Sequence, residues 1–144
     1  MSAAPEGEAG NPAYLWSDAY SVGHPEMDEQ HRRLLALCEK AEGCSRFDDA
    51  RGFETFHLVL NELFLYADSH FAAEEKLLET HGYAGLEAHQ DEHEMWLERL
   101  ADLLVESLDR SPDVARLQRV LRSWWVHHIL ESDMRYRALF ACAA

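Results

Sequence analysis

The chain has 144 residues, enough for one domain with a substantial core and too few for two comfortable ones. Its formal net charge of −14 repels polyanions at long range, which argues against nucleic acid or an acidic membrane surface as a partner. Three cysteines, Cys38, Cys44 and Cys142, are an odd number without CxxC spacing, which argues against both a disulfide framework and a thiolate zinc site.

Hydrophobic residues make up 47% of the chain and charged residues 28%, and the long runs of Leu, Glu, Arg and Ala favour helices over strands. Residues 1–13 have neither a basic start nor an apolar run, so they read as a disordered lead rather than a secretory signal. No later segment is long enough to span a membrane, and a cytoplasmic, monomeric protein is expected. Residues 14–144 read as one domain.

From Trp16 to about Met27 the chain, with Val22-Gly23-His24-Pro25, reads as an irregular arm packed on that domain. Asp28 is expected to cap a first helix over about 29–41, in which His31, Leu34, Leu35 and Cys38 share a face and which Gly43 ends. A second helix over about 50–80 carries a stripe that includes Phe56, Leu60, Leu63, Ala67, His70, Phe71, Glu74 and Leu78, and Gly82 stops it. The third, over about 85–108, turns His89, His93, Trp96, Leu100 and Leu104 to one side. Ser111, Pro112 and Asp113 then start a fourth, with Leu117, Leu121, Trp124 and His128 on its face. Short connections between four such helices predict an all-α fold, an antiparallel up-down-up-down four-helix bundle with an N-terminal irregular arm.

Five of the nine histidines, His31, His70, His89, His93 and His128, fall on the apolar stripes, and all four helices contribute. One such imidazole packs in a core with a single hydrogen bond. Five on the inner faces of one bundle would each need a partner in an apolar interior, and a shared metal satisfies them together. In His70…Glu74 and His89…His93 the ligand types stand four residues apart, about 6 Å of rise, so each pair projects to one side. Imidazole and carboxylate without thiolate suit iron, manganese, copper or zinc, and five histidines with two acids are too many for one zinc ion. A ferritin-like site would need two Glu-x-x-His pairs, and only Glu54 to His57 is present, with His57 roughly 140° round the helix from His70.

Trp16, Val22-Gly23, Asp28-Glu29-Gln30-His31, His70-Phe71-x-x-Glu74, His89-x-x-x-His93 and Trp124-x-x-x-His128-Ile129-x-x-x-Asp133 resemble the bacterial hemerythrins in order and spacing, over about residues 14–140. The resemblance implies two Fe ions per chain. His89, His93 and His128 would hold one and His31 and His70 the other, with Glu74, Asp133 and an oxo or hydroxo group bridging them. These ligands fill eleven of roughly twelve octahedral positions. The open one lies on the iron with two histidines, where O2 would bind, lined by Leu63, Phe71, Trp124 and Trp125.

Straight-helix geometry alone points to Glu131 as the last acid, since Asp133 stands roughly 140° from His128. The family pattern selects Asp133 and requires the helix to loosen there. His24, His57, His81 and His127 read as surface or supporting residues, and Tyr136 as closing the core. The function so implied is reversible O2 binding for storage, delivery or sensing, with an oxygen-consuming enzyme as a conceivable partner. A di-iron oxidase or peroxidase, or a redox or O2 signalling module, is the alternative on the same scaffold.

Overall fold

The computed structural model describes residues 15–44, 50–108 and 114–141. The expected lead over 1–13, the Ser111-Pro112 helix start and Cys142 lie outside those residues, as does the side chain of Trp125. Helices occupy Pro25–Cys44 (α1), Ala50–Thr80 (α2), Leu86–Glu106 (α3) and Val114–Trp124 (α4). From α4 the chain continues into a π-helical segment, Trp125–Ser132, a 3-10 turn, Asp133–Tyr136, and a last short turn, Ala138–Ala141. No strand occurs among the described residues, and the architecture is the expected four-helix bundle.

The arm differs from expectation at its end. A 3-10 turn forms at Asp18–Tyr20, and α1 begins at Pro25, four residues early. Proline suits the first helical position because its missing N–H would have no intrahelical partner there. His24 takes the capping role, its Nδ1 accepting the Met27 N–H at 3.3 Å while its carbonyl accepts from Asp28. Asp28 therefore clamps the arm instead of capping the helix. Its carboxylate accepts the Ser21 hydroxyl at 2.5 Å and the Val22 N–H at 2.9 Å. Gly43 lies inside α1 and does not end it.

α2 stops as expected at Gly82, whose φ of +67° admits two paired bonds: Gly82 N–H to the Glu79 carbonyl, and Tyr83 N–H to that of Leu78. Along every helix the buried residues fall into the same three layers. One end of the bundle is a large apolar core that includes Leu34, Leu60, Leu63, Trp96, Leu121 and Trp124. The other end is a smaller one of Val22, Met27, Leu78 and Tyr136. Between them lies a polar layer containing His31, His70, Glu74, His89, His93, His128 and Asp133. α1 and α3 run from the small core to the large one, and α2 and the fourth helix run back, which is the up-down-up-down order.

Gly23 holds φ at +84°, and a Cβ there would come within 3.3 Å of the Phe140 Cβ. Gly43, by contrast, is helical with nothing near its missing Cβ. In urea unfolding, Gly23→Ala is expected to lose about 1–2 kcal/mol. Gly43→Ala is expected to gain about 0.5–1 kcal/mol.

Candidate metal centre

All seven expected ligands are at least 96% buried, and their atoms converge in two overlapping groups. Glu74, His89, His93, His128 and Asp133 form one group and His31, His70, Glu74 and Asp133 the other, each with its ligating atoms within 4.8 Å of one another. The two carboxylates belong to both groups. Glu74 meets His89 and His93 through one oxygen, at 2.9 and 3.0 Å, and His31 and His70 through the other, at 3.3 and 3.5 Å. Asp133 divides its oxygens likewise, Oδ1 toward His89 and His128 at 2.9 and 3.3 Å, Oδ2 toward His31 at 3.1 Å.

Asp133 reaches this layer because the fourth helix changes its hydrogen bonding. Its N–H donates to the His128 carbonyl, an i→i+5 bond that replaces the α-helical i→i+4 pattern. Residues five apart are then brought over one another, so His128 and Asp133 share a face. Glu131 lies on the outside, 55% exposed, 3.7 Å from His127.

Three outer ring nitrogens are held by oxygens. His70 Nδ1 bonds the Gln30 amide at 2.6 Å, His93 Nδ1 the Glu75 carboxylate at 2.7 Å, and His128 Nδ1 the Glu92 carboxylate at 2.7 Å. A proton fixed on Nδ1 leaves the Nε2 lone pair facing inward. The Ser132 hydroxyl also lies 2.5 Å from the same Glu92 oxygen, tying the π segment to α3. The Tyr136 hydroxyl donates to Glu74 at 2.7 Å, so this tyrosine orients a carboxylate as well as closing the small core. Gln30, Glu75, Glu92 and Ser132 were not singled out from sequence. Their one signal was position: each stands beside an expected ligand in sequence, Gln30 before His31, Glu75 after Glu74, Glu92 before His93 and Ser132 before Asp133.

The donor set fits cations. His70 Nε2, His128 Nε2 and both oxygens of Asp133 are buried without a well-directed hydrogen bond; His128 Nε2 lies 3.3 Å from Asp133 Oδ1 and His70 Nε2 lies 3.5 Å from Glu74. Lone pairs converging in a dry interior are what metal ions satisfy. Without an ion, protons take part of that role. Burial alone would lower the pKa of His31 and of His89, but the contacts and charges of Asp133 and Glu74 outweigh it and raise both to about 10. Burial also opposes ionisation of Asp133, as does Glu74, yet the surrounding imidazoles hold its carboxyl down at about 2. The Glu92 carboxyl likewise falls to about 2, its partial burial outweighed by the His128 and Ser132 bonds.

The sequence matches the family model of the hemerythrin HHE cation binding domain over residues 22–140. The chain belongs to the hemerythrin family. It is 25% identical over 126 residues to a bacteriohemerythrin of Clostridium acetobutylicum, covering 85% of this chain and 98% of that protein. A bacteriohemerythrin of Stenotrophomonas maltophilia is 28% identical over 123 residues, covering 85% and 78%. A hemerythrin-like protein of Naegleria gruberi is 27% identical over 126 residues, covering 88% and 92%. In fold, the structure resembles the crystal structure of a hemerythrin point mutant with a TM-score of 0.78 at 24% identity, over 88% of this chain and 96% of that one. This hemerythrin-like chain thus joins a cation-binding family, a matching fold and a buried imidazole and carboxylate cluster.

Of the remaining histidines, none enters the cluster. His57 bonds the Ser107 hydroxyl at the far end of the bundle, His24 and His81 flank Phe140, and His127 is 61% exposed.

Two outcomes test this geometry. Asp133→Asn is expected to lower metal content, because an amide cannot place an anionic oxygen in both groups, while Glu131→Gln leaves it unchanged. Metal analysis of the two purified variants decides, and the reverse pattern would put the acid on the wrong side of the helix. The raised pKa values of His31 and His89 add a pH dependence. Their stabilisation of the metal-free fold is complete below about 6.5 and is lost as pH rises through about 10. A cation displaces those protons, so its affinity should climb with pH across that window, with at least about two protons released per loaded chain, those of His31 and His89. Pulsed titration in weak buffer at pH 7 to 9 measures the release.

Proposed function

We propose that the chain binds O2 reversibly at a non-haem di-iron centre. The observation that carries this reading is the division of the cluster into a three-histidine and a two-histidine group that share the same two carboxylates. His89, His93 and His128 would hold one iron, His31 and His70 the other, with Glu74 and Asp133 spanning the pair and an oxo or hydroxo group as the remaining bridge. Such a pair would supply two reducing equivalents at adjacent ions.

The protein's part is to hold those ions in a dry, fixed setting. Phe71 is 2% exposed and stacks on His93 with ring centres 3.9 Å apart and planes within 7°, and its edge meets Trp124 and His128. Leu63 and Trp124 close the same side, both essentially inaccessible to solvent. Water excluded by this lining cannot displace a bound ligand or carry off protons, a condition for reversal. Tyr136 keeps its proton, since burial and then the Glu74 charge push its pKa well above the ordinary range, and it acts as a fixed donor to Glu74. No helix of the described residues is long and apolar enough to cross a membrane. We place the protein in the cytoplasm, where the unpaired, buried Cys38 stays reduced, as a store, carrier or sensor of O2.

The purified chain is expected to carry about two irons, and the reduced form to change its visible absorbance on exposure to O2 and recover it under argon. One ion per chain, or an absorbance change that argon never reverses, would sink the reading. Glu74→Ala and His128→Ala should each lose iron and melt at lower temperature, since the remaining imidazoles are then buried without partners. His57→Ala and His81→Ala should retain iron. Metal analysis with thermal melts compares the four.

A further inference from the structure

Among the five inward imidazoles, His89 is served differently. His70, His93 and His128 have their outer nitrogens bonded to Gln30, Glu75 and Glu92. His31 has an unpartnered outer nitrogen too, but that residue is fully enclosed. His89 is 96% buried with its Nε2 facing Glu74 and Asp133 at 2.9 Å, and no hydrogen bond of its Nδ1 is found among the described residues. The ring instead forms part of the wall of a cavity of about 190 Å³.

The surroundings of that cavity favour an anion. Gly85 and Ala88 of its wall lie at the start of the 21-residue helix α3, whose first N–H groups receive no side-chain cap. An uncapped N-terminus concentrates partial positive charge. Arg135 stands at the rim, exposed, and forms no ion pair among the described residues even though the chain as a whole carries −14. Glu92, the one acid in the wall, spends one oxygen on His128 and Ser132, while its other oxygen accepts no bond among the described residues. The cavity therefore presents an imidazole N–H, a guanidinium and a helix start to an anion, together with one acceptor that calls for a hydroxyl. Tyr83 roofs it, its ring lying so close over Gly85 that a Cβ there would come within 2.9 Å.

We propose that this cavity binds a small monoanion bearing a hydroxyl group, of which bicarbonate is the smallest example and glycolate the next. Its carboxylate-type oxygens meet His89 Nδ1–H and Arg135, and its hydroxyl donates to Glu92. The bound anion then does for His89 what Glu75 and Glu92 do for His93 and His128: it orients the ring and raises the basicity of its inner nitrogen. The donor at Nδ1 rests on a cation being held at Nε2, and to that extent on the function proposed above. The occupant would tie the properties of the metal centre to the concentration of a metabolic anion.

The test is calorimetric titration of the air-oxidised, iron-loaded chain with bicarbonate and with glycolate, acetate being the comparison without a hydroxyl. Metal content is measured on the same samples. Saturable binding of one anion per chain is expected, with acetate weaker. Arg135→Gln and Ala88→Leu, the latter filling the cavity without changing charge, should each weaken binding about tenfold or more. Arg119→Gln, an exposed arginine elsewhere on α4, should leave it within about twofold, as expected for a screened distant charge. Binding that survives both cavity variants would place the anion elsewhere, including directly on iron, and overturn the proposal. So would the absence of saturable binding in a chain with two irons. A chain that fails to load iron would sink the functional reading itself, a result that the metal analysis separates from the other two.

Discussion

Five imidazoles and two carboxylates in one dry layer set the terms for the rest of this bundle. A buried polar atom without a partner costs on the order of 1–3 kcal/mol, and here several point at one another. That arrangement persists only if every helix is fixed in rotation and in height, because a single slipped turn removes a side chain from the layer. The two apolar cores supply this fixing. Placed at either end of the polar layer, they clamp each helix above and below its part of that layer, so the seven polar side chains are held by packing that does not depend on them. Outer hydrogen bonds from Gln30, Glu75 and Glu92 then set ring rotation within the layer.

The π segment solves the one problem that regular helices leave. A straight fourth helix can present His128 and a residue three or four positions on, but not a second polar side chain at the same height as the first. Drawing Asp133 into i→i+5 register puts both side chains in the same layer, and its oxygens reach His31 on α1 as well as His89 on α3. The looser turn is anchored to α3 through Ser132 and Glu92, so the irregular backbone is braced where it would otherwise be weakest. The 3-10 turn that follows tightens the chain again and delivers Tyr136 to Glu74.

How much of this could be read from the sequence follows from the local geometry. His31, His70, Glu74, His89, His93 and His128 sit on regular helix, where spacing of three and four reports a shared face, and those positions were legible. Asp133 was not legible from periodicity, which favoured Glu131; only the family pattern selected it, because a change of hydrogen-bond register leaves no trace in hydrophobic spacing. The start of α1 was missed since His24 is an unusual cap and Asp28 a common one. Gln30, Glu75 and Glu92 escaped notice because a polar residue beside a buried stripe is ordinarily solvated, and only the facing helix shows what it touches.

The outer shell is unequal on the two sides of the layer. On the three-histidine side, His93 and His128 lean on carboxylates, Glu75 and Glu92, and only His89 has no outer partner among the described residues, whereas on the two-histidine side His70 leans on a neutral amide and His31 on nothing. An imidazole hydrogen-bonded to an anion is the stronger base, so a cation in the first group is bound by better donors as well as by more of them. Counting the charge of the protein's own side chains, two inner and two outer carboxylates offer four negatives, against which two divalent cations would bring four positives, whereas in the metal-free chain protonated His31 and His89 supply two. The layer is therefore under-compensated until both ions are present. In the proposed reading the difference between the sides would become a division of labour: the group with anionic support would anchor the ions, and the group with neutral support would be the side where a neutral diatomic ligand meets the protein's weakest donors.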